Sequence, residues 1–172
     1  EIIDLAGLNT YPNFYTTSSS SIKKKLKSNT LIKDVKIKKR LFNKIYIYVD
    51  EYEVLFYNQN TSKYVLENKK EVLLDGIVVP TLINYVPDTK YNTFINKYIL
   101  LDDKVKQKIS EIKYDPNTID EDRFFLYMND GNYVYITLTK MELLNKYNEA
   151  ITKVEGKKGT LYLDSGNYFE IR

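Results

Sequence analysis

The chain of 172 residues contains no cysteine, no histidine and no tryptophan. Their absence excludes disulfides, thiolate or imidazole metal sites, thiol nucleophiles and any triad that needs an imidazole base. Arginine is scarce: Arg40, Arg123 and Arg172 stand among 26 basic residues, and the others are lysine. Arginine is the better residue for gripping phosphate bidentately and for reading guanine, so its scarcity argues against sequence-specific nucleic-acid binding. A net charge of +3 is too small to imply a polyanionic partner. Long apolar runs are also missing. The longest, Glu71 to Ile83, is broken by Asp75, Gly76 and Pro80 and falls short of the roughly 20 residues of a membrane helix. The chain opens at Glu1-Ile2-Ile3 without methionine or a signal pattern, and is expected to be a piece of a longer protein.

What remains is 43% apolar and 28% charged, enough for a packed core in one medium domain or two small ones. Glu1 to Leu8 reads as a short helix ending at Gly7-Leu8. After a polar stretch with four serines, Ser21 is expected to cap a second helix whose buried face is Ile22, Leu26 and Leu31 or Ile32. The period then falls to two. Lys33 to Lys38 and Lys44 to Glu51 alternate as half-buried strands, with Leu41-Phe42-Asn43 as the turn. Val54 to Tyr57, Tyr64 to Glu67 and Val72 to Leu74 are short strands. Phe94 to Ile112 reads as a helix on the spacing of Val105, Ile109 and Ile112. Arg123 to Met128 and Tyr133 to Leu138 flank Asn129-Asp130-Gly131-Asn132, a hairpin signal because Asp-Gly accepts positive φ. Thr139 to Ala150 reads as a helix with Met141, Leu144 and Tyr147 inward, followed by strands at Thr160 to Leu163 and Tyr168 to Ile171.

Few residues suggest chemistry. Ser-x-x-Lys occurs at Ser20, Ser21 and Ser110, but in serine and lysine runs or on a lysine-rich helix, where chance accounts for it. Asp120-Glu121-Asp122 matches no known cation loop and reads as solvated linker. Two features point to binding. From Ile22 to Lys44 there are ten basic residues against Asp34 alone. Lys23, Lys24, Lys27, Lys36, Lys38, Lys39 and Arg40 are therefore candidates for contact with an anionic lipid or wall-polymer surface, against a reading as solvated outer faces. The last strand, Tyr168-Phe169-Glu170-Ile171, is expected at a sheet margin, where edges pair with other chains unless covered. Tyrosines number 17, and Tyr46, Tyr48, Tyr133 and Tyr135 fall opposite aliphatic neighbours. They supply either strand packing or a partner surface.

Taken in order, Glu1-Ile-Ile-Asp-Leu-Ala-Gly-Leu8, Ile32-Lys33-Asp34-Val35-Lys36-Ile37, Ile45-Tyr-Ile-Tyr-Val-Asp-Glu51, Val79-Pro80-Thr81-Leu82, Leu126-Tyr-Met-Asn-Asp-Gly131 and Lys158-Gly159-Thr160-Leu161 form a spaced series. The series resembles the extracellular part of the DivIB/FtsQ family of bacterial cell-division proteins, in its Gram-positive form. The family's usual proline between the basic strand and its partner is Phe42 here, and a common glycine is replaced by Asn68-Lys69-Lys70. The resemblance implies an α+β fold. A POTRA-like module over 1–51 (helix, helix, strand, strand, the family's first strand preceding Glu1) is followed by a mainly antiparallel β domain with two helices over 52–172. It also implies a non-enzymatic divisome scaffold without catalytic residues, metal or cofactor, anchored by one membrane helix, with this part on the extracellular face at the septum. Its implied partners are the DivIC/FtsB-like and FtsL-like bitopic proteins, which add a strand beside the last one. Carried over residue by residue, the contact set is Leu163, Ser165, Gly166, Tyr168, Phe169, Glu170 and Ile171. Tyr168→Pro is the expected test, as it removes a backbone donor. The reading from another class is a module for anionic wall polymer or membrane surface, acting through the basic stretch.

Overall fold

The computed structural model describes residues 2–10, 12–15, 17–40 and 43–172. Glu1 of the first helix and Leu41-Phe42 of the expected turn lie outside these. Two compact units divide the chain, Glu1–Glu53 and Val54–Arg172.

In the first unit a one-turn helix α1 (Ile2–Leu5) ends at Gly7, whose φ of +69° suits a residue without Cβ. Helix α2 (Ser19–Lys27) is capped by Ser18, whose hydroxyl accepts the Ser21 N–H. The cap is therefore three residues earlier than Ser21, which lies inside the first turn and donates to the capping oxygen. Ile22 and Leu26, one turn apart, are buried with Ala6, Ile32 and Val35. Strands β1 (Ile32–Arg40) and β2 (Lys44–Glu51) pair antiparallel, with Val35 opposite Val49 and Lys38 opposite Tyr46. A register shift between Ile32 and Asp34 lets two residues three apart, Ile32 and Val35, both face the core.

Asp34 ties α2 to this sheet, its carboxylate 2.8 Å from Lys27 and 3.3 Å from Lys23. Lys27 first, then the Val35 backbone and Lys23, hold that carboxyl well below the usual carboxylate range. A lowered value stabilises the fold fully above the unfolded value of about 4, and the contribution is lost as pH falls from there toward the folded value. Asp34→Asn is thus expected to lower the stability of the first unit at neutral pH and to flatten its decline below about pH 4. Circular dichroism against urea at several pH values measures this. Equal acid sensitivity in both proteins would show that Asp34 is not the titrating group.

The second unit is one nine-stranded sheet with helices on one face. Its elements run β3 (Val54–Asn58), β4 (Lys63–Leu66), β5 (Glu71–Val72), β6 (Thr81–Leu82), α3 (Asp88–Ile99), α4 (Asp103–Lys106), β7 (Ile109–Tyr114), β8 (Arg123–Met128) and β9 (Tyr133–Thr137). A 3-10 helix (Leu138–Lys146), α5 (Tyr147–Thr152), β10 (Gly159–Tyr162) and β11 (Tyr168–Ile171) complete it. The spatial order is β11-β10-β9-β8-β7-β6-β3-β4-β5. Five neighbouring pairs are antiparallel, and β10–β9, β3–β6 and β6–β7 are parallel.

The helix expected over 94–112 is a correction. Helix α3 starts at Asp88, behind Pro87, with an acid in its first turn and Lys97 in its last, and buries Phe94, Ile95 and Tyr98. Val105, Ile109 and Ile112 are all buried, but the isoleucines belong to β7. A register shift between Ile109 and Glu111 leaves Ser110 unopposed, so two strand residues three apart point inward and imitate a helical stripe. Ser110, one of the Ser-x-x-Lys serines, is that extra residue. Leu138, Met141, Leu144 and Tyr147 are also buried, and their spacing of three fits the 3-10 turn found there.

The hairpin at Asp130-Gly131 is as expected, with Gly131 at φ +84°. It is locked from two sides. The buried Tyr147 hydroxyl donates to Asp130 at 2.9 Å, and burial pushes its pKa up. Asp130 also accepts the Asn132 N–H, and Asn132 Oδ1 accepts the Gly159 N–H at 3.0 Å. Tyr147→Phe is expected to cost the second unit about 1–3 kcal/mol in urea unfolding, because a buried partnership is lost on one side only. A cost near zero would mean that water replaces the hydroxyl without penalty.

Candidate functional site

Strand β11 lies at the margin of the sheet and, among the described residues, pairs with β10 alone, Tyr162 opposite Tyr168 and Gly159 opposite Ile171. Gly159 is required there, since a Cβ would collide with the Glu170 carbonyl oxygen. The Arg172 N–H donates to the Lys158 carbonyl at 2.9 Å. Opposed residues of an antiparallel ladder alternate between bonded and non-bonded pairs, so Glu170 and Tyr168 also turn their backbone groups toward β10. Phe169 and Ile171 therefore direct N–H and C=O to the open side. The other face of β10 agrees: Gly159 and Leu163 donate away from β11, to Asn132 and Tyr135. Tyr168→Pro would thus break the β10–β11 ladder rather than the outer edge, which corrects the test expected from the alternation alone. The outward donors belong to Phe169 and Ile171.

The residues picked from the sequence divide by place. Tyr168 and Ile171 are half exposed, at 51% and 52%, and Glu170 is exposed, while Phe169 packs against the core. Leu163 is buried and points inward. Ser165 donates from its N–H and hydroxyl to Asp164, and Gly166 lies in the turn beside the Tyr168 ring. This turn is anchored by a network that sequence reading missed. Buried Asp164 lies 3.6 Å from Arg123, which is held by Asp115 at 2.6 Å, and Lys140 donates to the Asp164 carbonyl at 2.7 Å. These residues are far apart in the chain, so no local pattern marks them.

On the face away from the helices, the alternation noted at Tyr133 and Tyr135 becomes a continuous stripe of rings. Phe125 contacts Tyr127, Tyr133 and Tyr135, at 4.5 Å between centroids for the last. Tyr135 stacks on Tyr162 at 5.4 Å, and Tyr162 on Tyr168 at 4.7 Å with planes 12° apart. Arg123 lies 4.4 Å over Tyr135, and Arg172 lies 4.1 Å over Tyr133. The Tyr162 hydroxyl donates to Glu170 at 3.0 Å, and that carboxylate pushes its pKa up. The stripe thus ends on β11, at an open ring beside an exposed carboxylate.

The basic candidates do not form one patch. Lys23 and Lys27 share Asp34, and Lys24 is exposed on α2. Lys36, Lys38 and Arg40 alternate along the outer face of β1, with Lys38 over Tyr48 and Arg40 over Tyr46. Lys39 turns the other way, donating to the Phe14 and Thr17 carbonyls. An open groove of about 720 Å³ is lined by Phe14, Tyr15, Tyr46, Lys39, Arg40 and Lys44, among others. In the acidic run, Asp122 pairs with Lys90 at 2.5 Å, so it clamps α3 to the loop. Among the described residues no three Asp or Glu side chains gather as a metal site. No helix among them is long and apolar enough to cross a membrane.

Comparison with known proteins agrees with this architecture. Residues 1–52 match the POTRA domain of FtsQ type. Cell division protein DivIB of Bacillus subtilis is 35% identical over 99% of this chain and 68% of its own length. Its Listeria monocytogenes namesake is 31% identical over 84% of this chain and 57% of its own length. The major extracytoplasmic domain of DivIB from Geobacillus stearothermophilus superposes with a TM-score of 0.50 at 24% identity, covering 62% of this chain and 96% of that one. That likeness supports the α+β fold alone. With identity sustained along almost the whole chain, it belongs to the DivIB family of cell-division proteins.

Proposed function

We propose that this chain is the partner-docking region of a divisome scaffold. On this reading it receives DivIC/FtsB-like and FtsL-like bitopic division proteins by β-strand addition to β11, in support of septum formation. Family membership gives a non-enzymatic role in cell division; the partners and the docking edge are the proposal. So is the placement on the extracellular face of the cell membrane at the septum, carried by a single-pass anchor. The carrying observation is the marginal position of β11, with the backbone of Phe169 and Ile171 directed outward. In strand addition the main chain supplies affinity and alternate side chains supply specificity. Calorimetric titration with the soluble ectodomains of the two partner types, at low and high salt, tests it. Binding that changes little with salt is expected, and absence of binding to both would overturn the reading.

A second reading rests on the groove beside Phe14 and Tyr46, with Lys39, Arg40 and Lys44 at its rim. It makes the first unit a contact for anionic wall polymer or an anionic membrane surface. Its signature is cosedimentation that weakens steeply with salt, because exposed charges are screened within about 10 Å at 0.1 M. Retention unchanged at high salt would remove it.

A further inference from the structure

The ring stripe on the outer face suggests the side chain that an incoming strand places there. It has one open end. Tyr162 and Tyr168 stack nearly parallel at 4.7 Å, and Tyr168, half exposed on the marginal strand, has no ring beyond it among the described residues. Two residues along and on the same face is Glu170, which is exposed. Among the described residues its carboxylate holds one hydrogen bond, from Tyr162, and no ion pair. The same sheet face twice covers a tyrosine ring with a guanidinium, Arg123 over Tyr135 and Arg172 over Tyr133. An arginine suits such a place because its planar group stacks on a ring while its donors reach a carboxylate. The opposite face of β11 is apolar, with Phe169 and Ile171.

We infer that β11 selects an extended segment with an arginine on the Tyr168–Glu170 face and aliphatic side chains on the Phe169–Ile171 face. This rests on the strand-addition reading and adds the specificity that backbone pairing cannot supply, since every chain offers the same backbone groups. Ring and carboxylate act together. The ring alone would accept another aromatic; Glu170 biases the choice to a cation.

The probes are twelve-residue peptides of alternating threonine and valine with soluble glycine-serine ends. They differ only in one central threonine-face residue: arginine, glutamine, glutamate or phenylalanine. Binding to the whole 172-residue chain is read by fluorescence anisotropy. The arginine peptide is expected to bind about threefold to thirtyfold more tightly than the glutamine peptide, the combined scale of an exposed cation–ring contact and an exposed ion pair. That ratio is expected to fall toward one in Tyr168→Ala and to be reduced in Glu170→Gln. Both variants leave the outward amides in place, so both should still bind the glutamine peptide. Equal affinity for all four peptides, or strongest binding by the phenylalanine peptide, would overturn the inference and leave strand addition standing. If Ile171→Pro binds them as the natural chain does, or if the natural chain binds none, the strand-addition reading itself fails.

Discussion

Ile171→Pro is expected to abolish binding of the DivIC/FtsB-like ectodomain while the sheet stays folded. The Ile171 N–H belongs to the outward set on β11, so proline removes a donor from the docking edge and none from the β10 ladder. Marginal strands tolerate proline where the N–H faces out. The Ile171 side chain is half exposed, so its loss costs the core little. Tyr168→Pro is the contrasting variant. Its amide faces Tyr162, and it is expected to free β11 and lower stability as well as binding. Calorimetry with circular dichroism separates the two effects. Unchanged binding by Ile171→Pro, with a native spectrum, would place the partner elsewhere.

Phe94→Ala is expected to destabilise the second unit by about 3–5 kcal/mol, the cost of emptying a buried aromatic site. Phe94 is 0% exposed and central in the ring cluster: it stacks on Phe124 at 4.7 Å and touches Tyr98 at 5.4 Å and Phe56 at 5.6 Å. Such a loss is a large share of the roughly 5–15 kcal/mol that holds an ordinary domain together. The core of the first unit, around Leu26 and Val35, is a separate cluster. Urea unfolding followed at the amides of Leu126 and Val35 should show the first midpoint falling sharply and the second unmoved. A loss below about 1 kcal/mol would mean that the rings repack into the space.

Much of this fold is written locally. Ile45, Ile47 and Val49 against Tyr46 and Tyr48 specify a strand with two unlike faces, and Asp130-Gly131 specifies the hairpin between β8 and β9. The terminal alternation at Tyr168 to Ile171 marks a strand, and the sheet order places it at the margin. The local pattern misleads where two periods coincide. A bulge at Ser110 gives Ile109 and Ile112 a helical spacing inside a strand, and β6 has two residues, too few to carry any period. Long-range facts were beyond local reading. Arg123 meets Asp164 only after β8 and the β10–β11 turn are brought together, and the facing of the Tyr168 amide is set by its register on β10.

The most direct measurement is amide hydrogen exchange at β11, free and with the DivIC/FtsB-like ectodomain bound. In the free chain the Tyr168 and Glu170 amides, facing β10, should be protected, and those of Phe169 and Ile171 should exchange quickly. An added strand should bring slow exchange to Phe169 and Ile171 and change the other two little. Tight binding that leaves Phe169 and Ile171 exchanging as fast as before would contradict strand addition at this edge.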